Sequence, residues 1–197
     1  LAHAHKAGIV HRDVKPGNIL LHFVPLGTPH SIQLTDMEQA LIPLLSDFGI
    51  ARALDAPELT TAGRTIGTPA YMSPEQCAGN RLLDGRADIY SLGTVLYRCL
   101  VGRAPFIGAT TQILHAHVYE SILIPERLAK SLPLDVKEIL QQALQKEPEA
   151  RYGTADELAA DLEKSIQTLM PSNATVTMPA LPVVSATEQL TDVLVPG

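Results

Sequence analysis

The chain has 197 residues, a formal net charge of −6, 46% hydrophobic residues and 18% charged ones. That length suits one globular domain with a full core, and the hydrophobic share excludes a chain disordered throughout. The acidic balance excludes general nucleic-acid binding, which needs a basic face. No apolar run approaches the roughly 18 residues of a membrane span. The cysteines, Cys77 and Cys99, are too few for a disulfide framework and lack paired metal spacing. The expected setting is a reducing cytoplasm. Leu1 to Lys6 are not followed by an apolar segment of signal-peptide type, and the chain opens on Leu rather than Met, which reads as a fragment.

Residues 1–8 read as the end of a helix, with Leu1, Ala4 and His5 on one face and Gly8 as the stop. Ile19-Leu20-Leu21 is a short apolar run, expected as a strand. Residues 22–40 carry Pro25, Gly27 and Pro29 and read as an inserted loop. Leu41 to Leu45 is a second strand feeding Asp47. Residues 50–76 are loop-like, punctuated by Gly63, Gly67, Pro69 and Pro74. Ala87 to Gly102 has apolar residues at Ile89, Leu92, Val95, Leu96, Cys99 and Leu100, the spacing of a buried helix, with Gly102 ending it. Gln112 to Ser121 and Leu134 to Leu144 read as further helices. Thr154 with Glu157 makes a capping box for a helix to about Leu169. From Met170 onward Pro, Ser, Thr and Val dominate, so 170–197 is expected as a disordered, Pro/Thr-rich tail.

The densest chemistry lies in His11-Arg12-Asp13-Val14-Lys15-Pro16-Gly17-Asn18. Pro16 presets a backbone angle and Gly17 removes the steric limit on a turn. Asp13, Lys15 and Asn18 can therefore be aimed into one small volume, as a general base, a cation for phosphate oxygens and a metal-binding amide. This stretch resembles the protein-kinase catalytic loop H-R-D-x-x-x-x-N, and Asp47-Phe48-Gly49 follows it as in that family. Gly67-Thr68-Pro69-Ala70-Tyr71-Met72-Ser73-Pro74-Glu75-Gln76 is similar to the eukaryotic-like serine/threonine kinases of bacteria.

The resemblance implies roles for particular residues. Asp13 would orient the attacking hydroxyl and accept its proton, and Lys15 would neutralise charge on the transferred phosphoryl group. Asn18 and Asp47 would hold Mg²⁺ beside ATP. Thr68 would sit by the base and the lysine, as in kinases acting on Ser and Thr. Arg12 would pair with a phosphate on the activation segment, 47–75, where Thr60, Thr61 and Thr65 are acceptors and Thr61 and Thr65 the preferred ones. His11, Phe48 and Gly49 would be structural. Glu75 would form a buried ion pair with Arg151, and Asp88 would hydrogen-bond the backbone of the catalytic loop. The histidines other than His11 have no partner pattern and read as ordinary.

The implied fold is mainly α: a protein-kinase C-lobe over residues 1–169, a helical bundle with a short β-hairpin at the cleft. Its small lobe, with the Gly-rich loop and strand lysine, is absent from the chain. The implied function is ATP-dependent phosphorylation of Ser or Thr on protein substrates. This chain would supply the catalytic loop, Mg²⁺ residues and activation segment, and would have little activity alone. No nucleic acid or membrane span enters this reading, although the parent protein could be membrane-anchored outside this chain. The rivals are an inactive lobe serving as a docking or regulatory module and a small-molecule phosphotransferase with similar Asp and Asn spacing; the Gly67–Gln76 segment argues against the second.

Overall fold

The computed structural model describes residues 1–29, 31–33, 38–48 and 69–169. Within them seven α-helices accompany one antiparallel sheet: α1 (Ala2–Lys6), β1 (Ile19–Pro25), β2 (Ile32–Gln33), β3 (Gln39–Leu45), α2 (Pro74–Cys77), α3 (Gly85–Val101), α4 (Thr110–Tyr119), α5 (Glu126–Ser131), α6 (Leu134–Ala143) and α7 (Ala155–Leu169). The expected tail at 170–197 lies outside the described residues.

Helix α3 is the axis of the molecule. Asp84 caps it, its carboxylate accepting from the Arg86 amide at 2.9 Å. Gly102, at φ 86°, closes it in the left-handed conformation that costs glycine least. Between these ends Ala87 to Ser91, Gly93 to Val95 and Tyr97 are buried, so the helix is covered on nearly every side. Ile89 packs with Ile139, Ala143, Tyr152 and Leu158, which seats α6 and α7. Tyr90 and Tyr97 pack with Leu140 and Leu144 on another side. Gly93 permits the close approach of α6: a Cβ there would lie 3.0 Å from that of Ala143.

The sheet is larger than the short hairpin expected. β1 runs on through His22 to Pro25, into the segment read as a loop, and pairs with β3 from Ile19↔Leu45 to Pro25↔Gln39. β2 adds a third strand on the other edge of β3, in the order β1-β3-β2. Pro25 and Pro29 misled the reading; Pro25 is tolerated because it ends an edge strand. Helix ends also shift. Helix α4 starts two residues earlier than expected, where the Gln112 side chain accepts from the Ala109 amide at 3.0 Å. At α7 Thr154 Oγ1 accepts from the Glu157 amide at 3.2 Å, but the Glu157 carboxylate reaches the Gly153 amide rather than that of Thr154. Helices α2 and α5 carry too little apolar periodicity to have been read from sequence.

His117, on α4, is fully buried against α3. Its Nδ1 lies 3.0 Å from the Tyr90 hydroxyl, and the Phe106 ring meets it edge-on at 5.0 Å. Lys146 Nζ donates to the Ala116 and His117 carbonyls at 3.3 and 2.7 Å, closing the C-terminal turn of α4. Burial first, and then the Lys146 charge, push the His117 pKa down to about 4, partly offset by the Ala70 backbone. Burial also pulls the Lys146 ammonium down to about 8. This histidine is therefore a core group, not an ordinary surface one.

The linkage has a definite sign. Below the unfolded pKa of about 6.5 the unfolded chain takes a proton that the folded chain refuses, so acid favours unfolding. The His117 contribution is intact above that pH and is lost progressively down to about pH 4, reaching on the order of 2 kcal/mol by pH 5. Urea unfolding at pH 7 and pH 5 should show this loss in the wild type and a shallower one in His117→Gln. Equal pH slopes in the two proteins would exclude His117 as the source.

Candidate active site

The site is built on the segment that enters α3 from the other end of the chain. Asp88, in the first turns of α3, has no exposed surface. Its Oδ2 accepts from the His11 amide at 2.7 Å and its Oδ1 from the Arg12 amide at 2.8 Å. His5 Nε2 donates to the same Oδ2 at 2.8 Å, so α1 is tied in as well. A buried carboxylate needs such donors. What it does here is hold two consecutive peptide amides.

Those amides belong to a backbone that would not adopt this path unaided. Arg12 has φ 65°, the left-handed region that a long side chain seldom occupies. Its amide is held by Asp88 and its carbonyl accepts from Gln76 Nε2 at 2.8 Å. Gln76 is fixed in turn by a reciprocal capping box with Ser73, whose amide donates to Gln76 Oε1 at 3.0 Å. His11 is buried, with Nε2 donating to the Ser46 carbonyl at 2.8 Å and Nδ1 accepting from the Asp13 amide at 3.2 Å. Its ring lies 4.6 Å from that of Phe48. His11 thus joins the loop to the end of β3.

Downstream of this clamp the three predicted polar side chains converge. Lys15 Nζ donates to Asp13 Oδ2 at 2.8 Å. Asn18 Nδ2 donates to the Asp13 carbonyl at 2.9 Å and to its Oδ2 at 3.2 Å. The turn between them is a short 3₁₀ segment, Pro16–Asn18, with proline at its start. Asn18 is buried, while Asp13 and Lys15 each keep 24% of their side-chain surface. Asp47 arrives from the end of β3 at φ 57°, exposed to solvent. Ser46 links it to Asn18: the Ser46 amide donates to the Asn18 carbonyl at 2.8 Å, and its hydroxyl lies 3.3 Å from both that carbonyl and Asp47 Oδ2.

With Nδ2 committed to Asp13, the Asn18 Oδ1 atom is the part of the amide left to face a cation. An amide oxygen and a solvent-facing carboxylate are hard donors of the type Mg²⁺ takes, and Mg²⁺ completes its shell from phosphates and water. Among the described residues no cluster of three or more His, Cys, Asp or Glu side chains could hold a metal without such help. The Asn18 and Asp47 oxygens are thus of the kind that fits Mg²⁺ completing its shell from other oxygens.

Glu75 and Arg151 meet as a bidentate pair, at 2.8 Å on both arms. The Arg151 side chain is fully buried and also donates to the carbonyls of Gln145, Arg86 and Lys146 at 2.8, 2.9 and 2.7 Å. It binds α2 to the start of α3 and to the approach to α7. The expected activation-segment sites Thr60, Thr61, Thr65 and Thr68, together with Gly49, lie outside the described residues. Sequence reasoning passed over His5 and Gln76. The Ser-x-x-Gln capping signature was legible for Gln76, but nothing in the sequence pointed either side chain at the loop.

The match to the protein kinase domain covers residues 1–162, so the chain belongs to the protein kinase family. It is 40% identical over 161 residues to the serine/threonine-protein kinase PknB of Mycobacterium leprae, covering 81% of this chain and 23% of that protein. It is 36% identical over 162 residues to the probable serine/threonine-protein kinase CPE1738 of Clostridium perfringens (82% and 21% covered). To the DNA damage-responsive serine/threonine-protein kinase RqkA of Deinococcus radiodurans it is 39% identical over 161 residues (81% and 22% covered). The chain thus spans less than a quarter of the length of these curated relatives. Among the described residues no helix is long and apolar enough to cross a membrane.

Removing one partner of the Glu75–Arg151 pair leaves a desolvated charge behind. Glu75→Ala should cost about 3–5 kcal/mol of unfolding free energy, and replacing both residues by apolar ones of similar volume should cost less than the sum of the single changes. Denaturant titration of the three variants reads both numbers. A loss below about 1 kcal/mol for the single change would mean the pair is solvated.

Proposed function

We propose that this chain is the large-lobe part of a serine/threonine protein kinase and that its polar cluster transfers the γ-phosphoryl group of ATP to a protein hydroxyl. The observation that carries the reading is the convergence of Asp13, Lys15 and Asn18 on one carboxylate, with Asp47 joined to them through Ser46. Covalent acyl transfer would call for a side-chain nucleophile held by a base, whereas phosphoryl transfer asks chiefly for positioning and charge.

In this mechanism the Asp13 carboxylate faces the substrate hydroxyl, orients it and takes its proton as that oxygen bonds to the γ-phosphorus, while the bond to the β,γ-bridging oxygen breaks and ADP leaves. Lys15, already 2.8 Å from Asp13, moves its ammonium charge onto the phosphoryl oxygens as negative charge builds there. Asn18 keeps Asp13 aimed by one bond to its carboxylate and one to its backbone carbonyl. Mg²⁺, held by Asn18 Oδ1 and the Asp47 carboxylate, would neutralise the nucleotide phosphates when bound. Thr68 would close on the base and lysine, and Arg12 would receive a phosphate placed on Thr61 or Thr65. That phosphate would order the activation segment by charge-assisted hydrogen bonds.

The sheet supports a second element of the reading. Leu20, Leu21, Phe23 and Leu44 expose between 46% and 59% of their surface on β1 and β3, next to the metal-binding positions. Apolar area of that kind beside a polar cluster suits a surface covered by another unit. Here that unit would be a small lobe carrying a Gly-rich loop and a strand lysine.

Asp13→Asn in the intact kinase should lower kcat by about 10²- to 10⁴-fold, with a much smaller change in ATP affinity. Asp47→Asn should instead raise the Mg²⁺ concentration needed for half-maximal turnover. Steady-state kinetics at varied Mg²⁺ separates the two, and an Asp13→Asn enzyme of wild-type rate would end the mechanism. The 197-residue chain assayed alone should transfer phosphate at under about 1% of the rate it reaches when joined to a kinase small lobe, since half of the nucleotide cleft then has no protein wall. Equal rates would refute the large-lobe reading.

A further inference from the structure

A cavity of about 410 Å³ opens beside the segment that follows the activation loop. One wall is the 3₁₀ turn Pro69–Tyr71, and the others come from the C-terminal end of α3, the loop after it and the start of α4. Tyr71, Phe106 and Ile113 supply its packed floor, and Ile107 stands at its edge with 70% of its surface exposed. Arg98 and Arg103 line the same space, and among the described residues no acidic one does.

That charge balance is unusual for this protein. The chain carries 21 acidic against 15 basic residues, yet among the described residues the only charged ones lining this cavity are cationic. Two of the described arginines are neutralised by carboxylates: Arg86 binds Asp84 and Glu149, and Arg151 binds Glu75. Arg98 instead donates to the Tyr71 hydroxyl, a neutral acceptor that aims the guanidinium at the turn without cancelling its charge. Arg103 has no ion pair among the described residues; its charge acts on the neighbouring Tyr97 hydroxyl. A concave, partly apolar wall around two uncancelled cations raises the local potential for an anion.

Its position selects which anion. Tyr71 lies two residues before Ser73, and Gln76, in the capping box with Ser73, is bonded to the Arg12 carbonyl next to Asp13. The cavity is thus within about six residues of extended chain from the catalytic carboxylate. A polypeptide lying with its hydroxyl at Asp13 can place a nearby side chain here.

We propose that Arg98 and Arg103 form a specificity subsite for an acidic side chain, Asp or Glu, within about six residues of the phosphorylated Ser or Thr. The inference rests on the kinase reading and adds a substrate class to it. The carboxylate meets the two guanidiniums, its aliphatic stem lies along Ile107 and Phe106, and a Lys or Arg at the same peptide position is repelled.

The test uses the intact protein that carries this chain, ATP and a peptide library in which each position around a fixed serine is Glu, Ala or Lys in turn. One position should favour Glu over Ala by roughly fivefold, the scale of an exposed charge-assisted pair, and disfavour Lys. Arg103→Glu should flatten or invert the preference at that position and leave the others alone. Arg98→Glu should act likewise, and because Arg103 makes no hydrogen bond to the framework among the described residues, its variant reads the subsite even if loss of the Arg98–Tyr71 contact disturbs folding. Absence of an acidic preference in the wild type, or its survival in Arg103→Glu, overturns the proposal. If no peptide is phosphorylated, the kinase reading has failed instead. Fluorescence anisotropy with dye-labelled Glu- and Lys-bearing peptides then judges the subsite alone: tighter Glu-peptide binding that weakens in Arg103→Glu supports it, and equal binding sinks it.

Discussion

One buried carboxylate sets the geometry on which the site depends. Asp88 enters the core only because three N–H donors meet it, and two of these are consecutive backbone amides of the loop that carries Asp13. The exchange works in both directions: the amides satisfy a charge that could not otherwise be buried, and the charge pins a left-handed Arg12 that could not otherwise persist. Because Asp88 rides on α3, the helix most completely enclosed by the core, the loop inherits the stiffness of the hydrophobic clusters below it.

The same economy recurs in the other connections. Gln76 spends its amide oxygen on capping its own helix and its amide nitrogen on the Arg12 carbonyl, so α2 reports directly on the loop. Arg151 gathers three carbonyls and a carboxylate around one planar group, the arrangement a guanidinium serves and an ammonium does not. His117 and Lys146 form a third node, in which an uncharged imidazole and a shielded ammonium fasten α4 to α3 and to the loop before it. Each node joins segments far apart in sequence. Together they anchor the base of the polar cluster to the core.

Legibility in the sequence followed the range of the interactions. The convergence of Asp13, Lys15 and Asn18 was readable because five residues and a Pro-Gly turn carry it, and α3 was readable because its apolar spacing is long and ends at a glycine. The third strand was not, since β2 is two residues long and exists only through its pairing with β3. His5 and His117 looked ordinary for the same reason: a lone histidine announces nothing until a partner 83 or 27 residues away is in place.

The family, the polar residues of the catalytic-loop motif and the ends of the main helix can all be read along the chain, because motif spacing, turn chemistry and helical periodicity are properties of neighbouring residues. What holds the loop in its left-handed path, how far the sheet extends, and the meeting of Arg98 and Arg103 with Tyr71 around one cavity emerge only in the folded chain. Those outcomes depend on burial and on hydrogen bonds between distant segments. No local pattern encodes such contacts, because the unmet donor or charge that demands each partner appears only when the chain has closed around it.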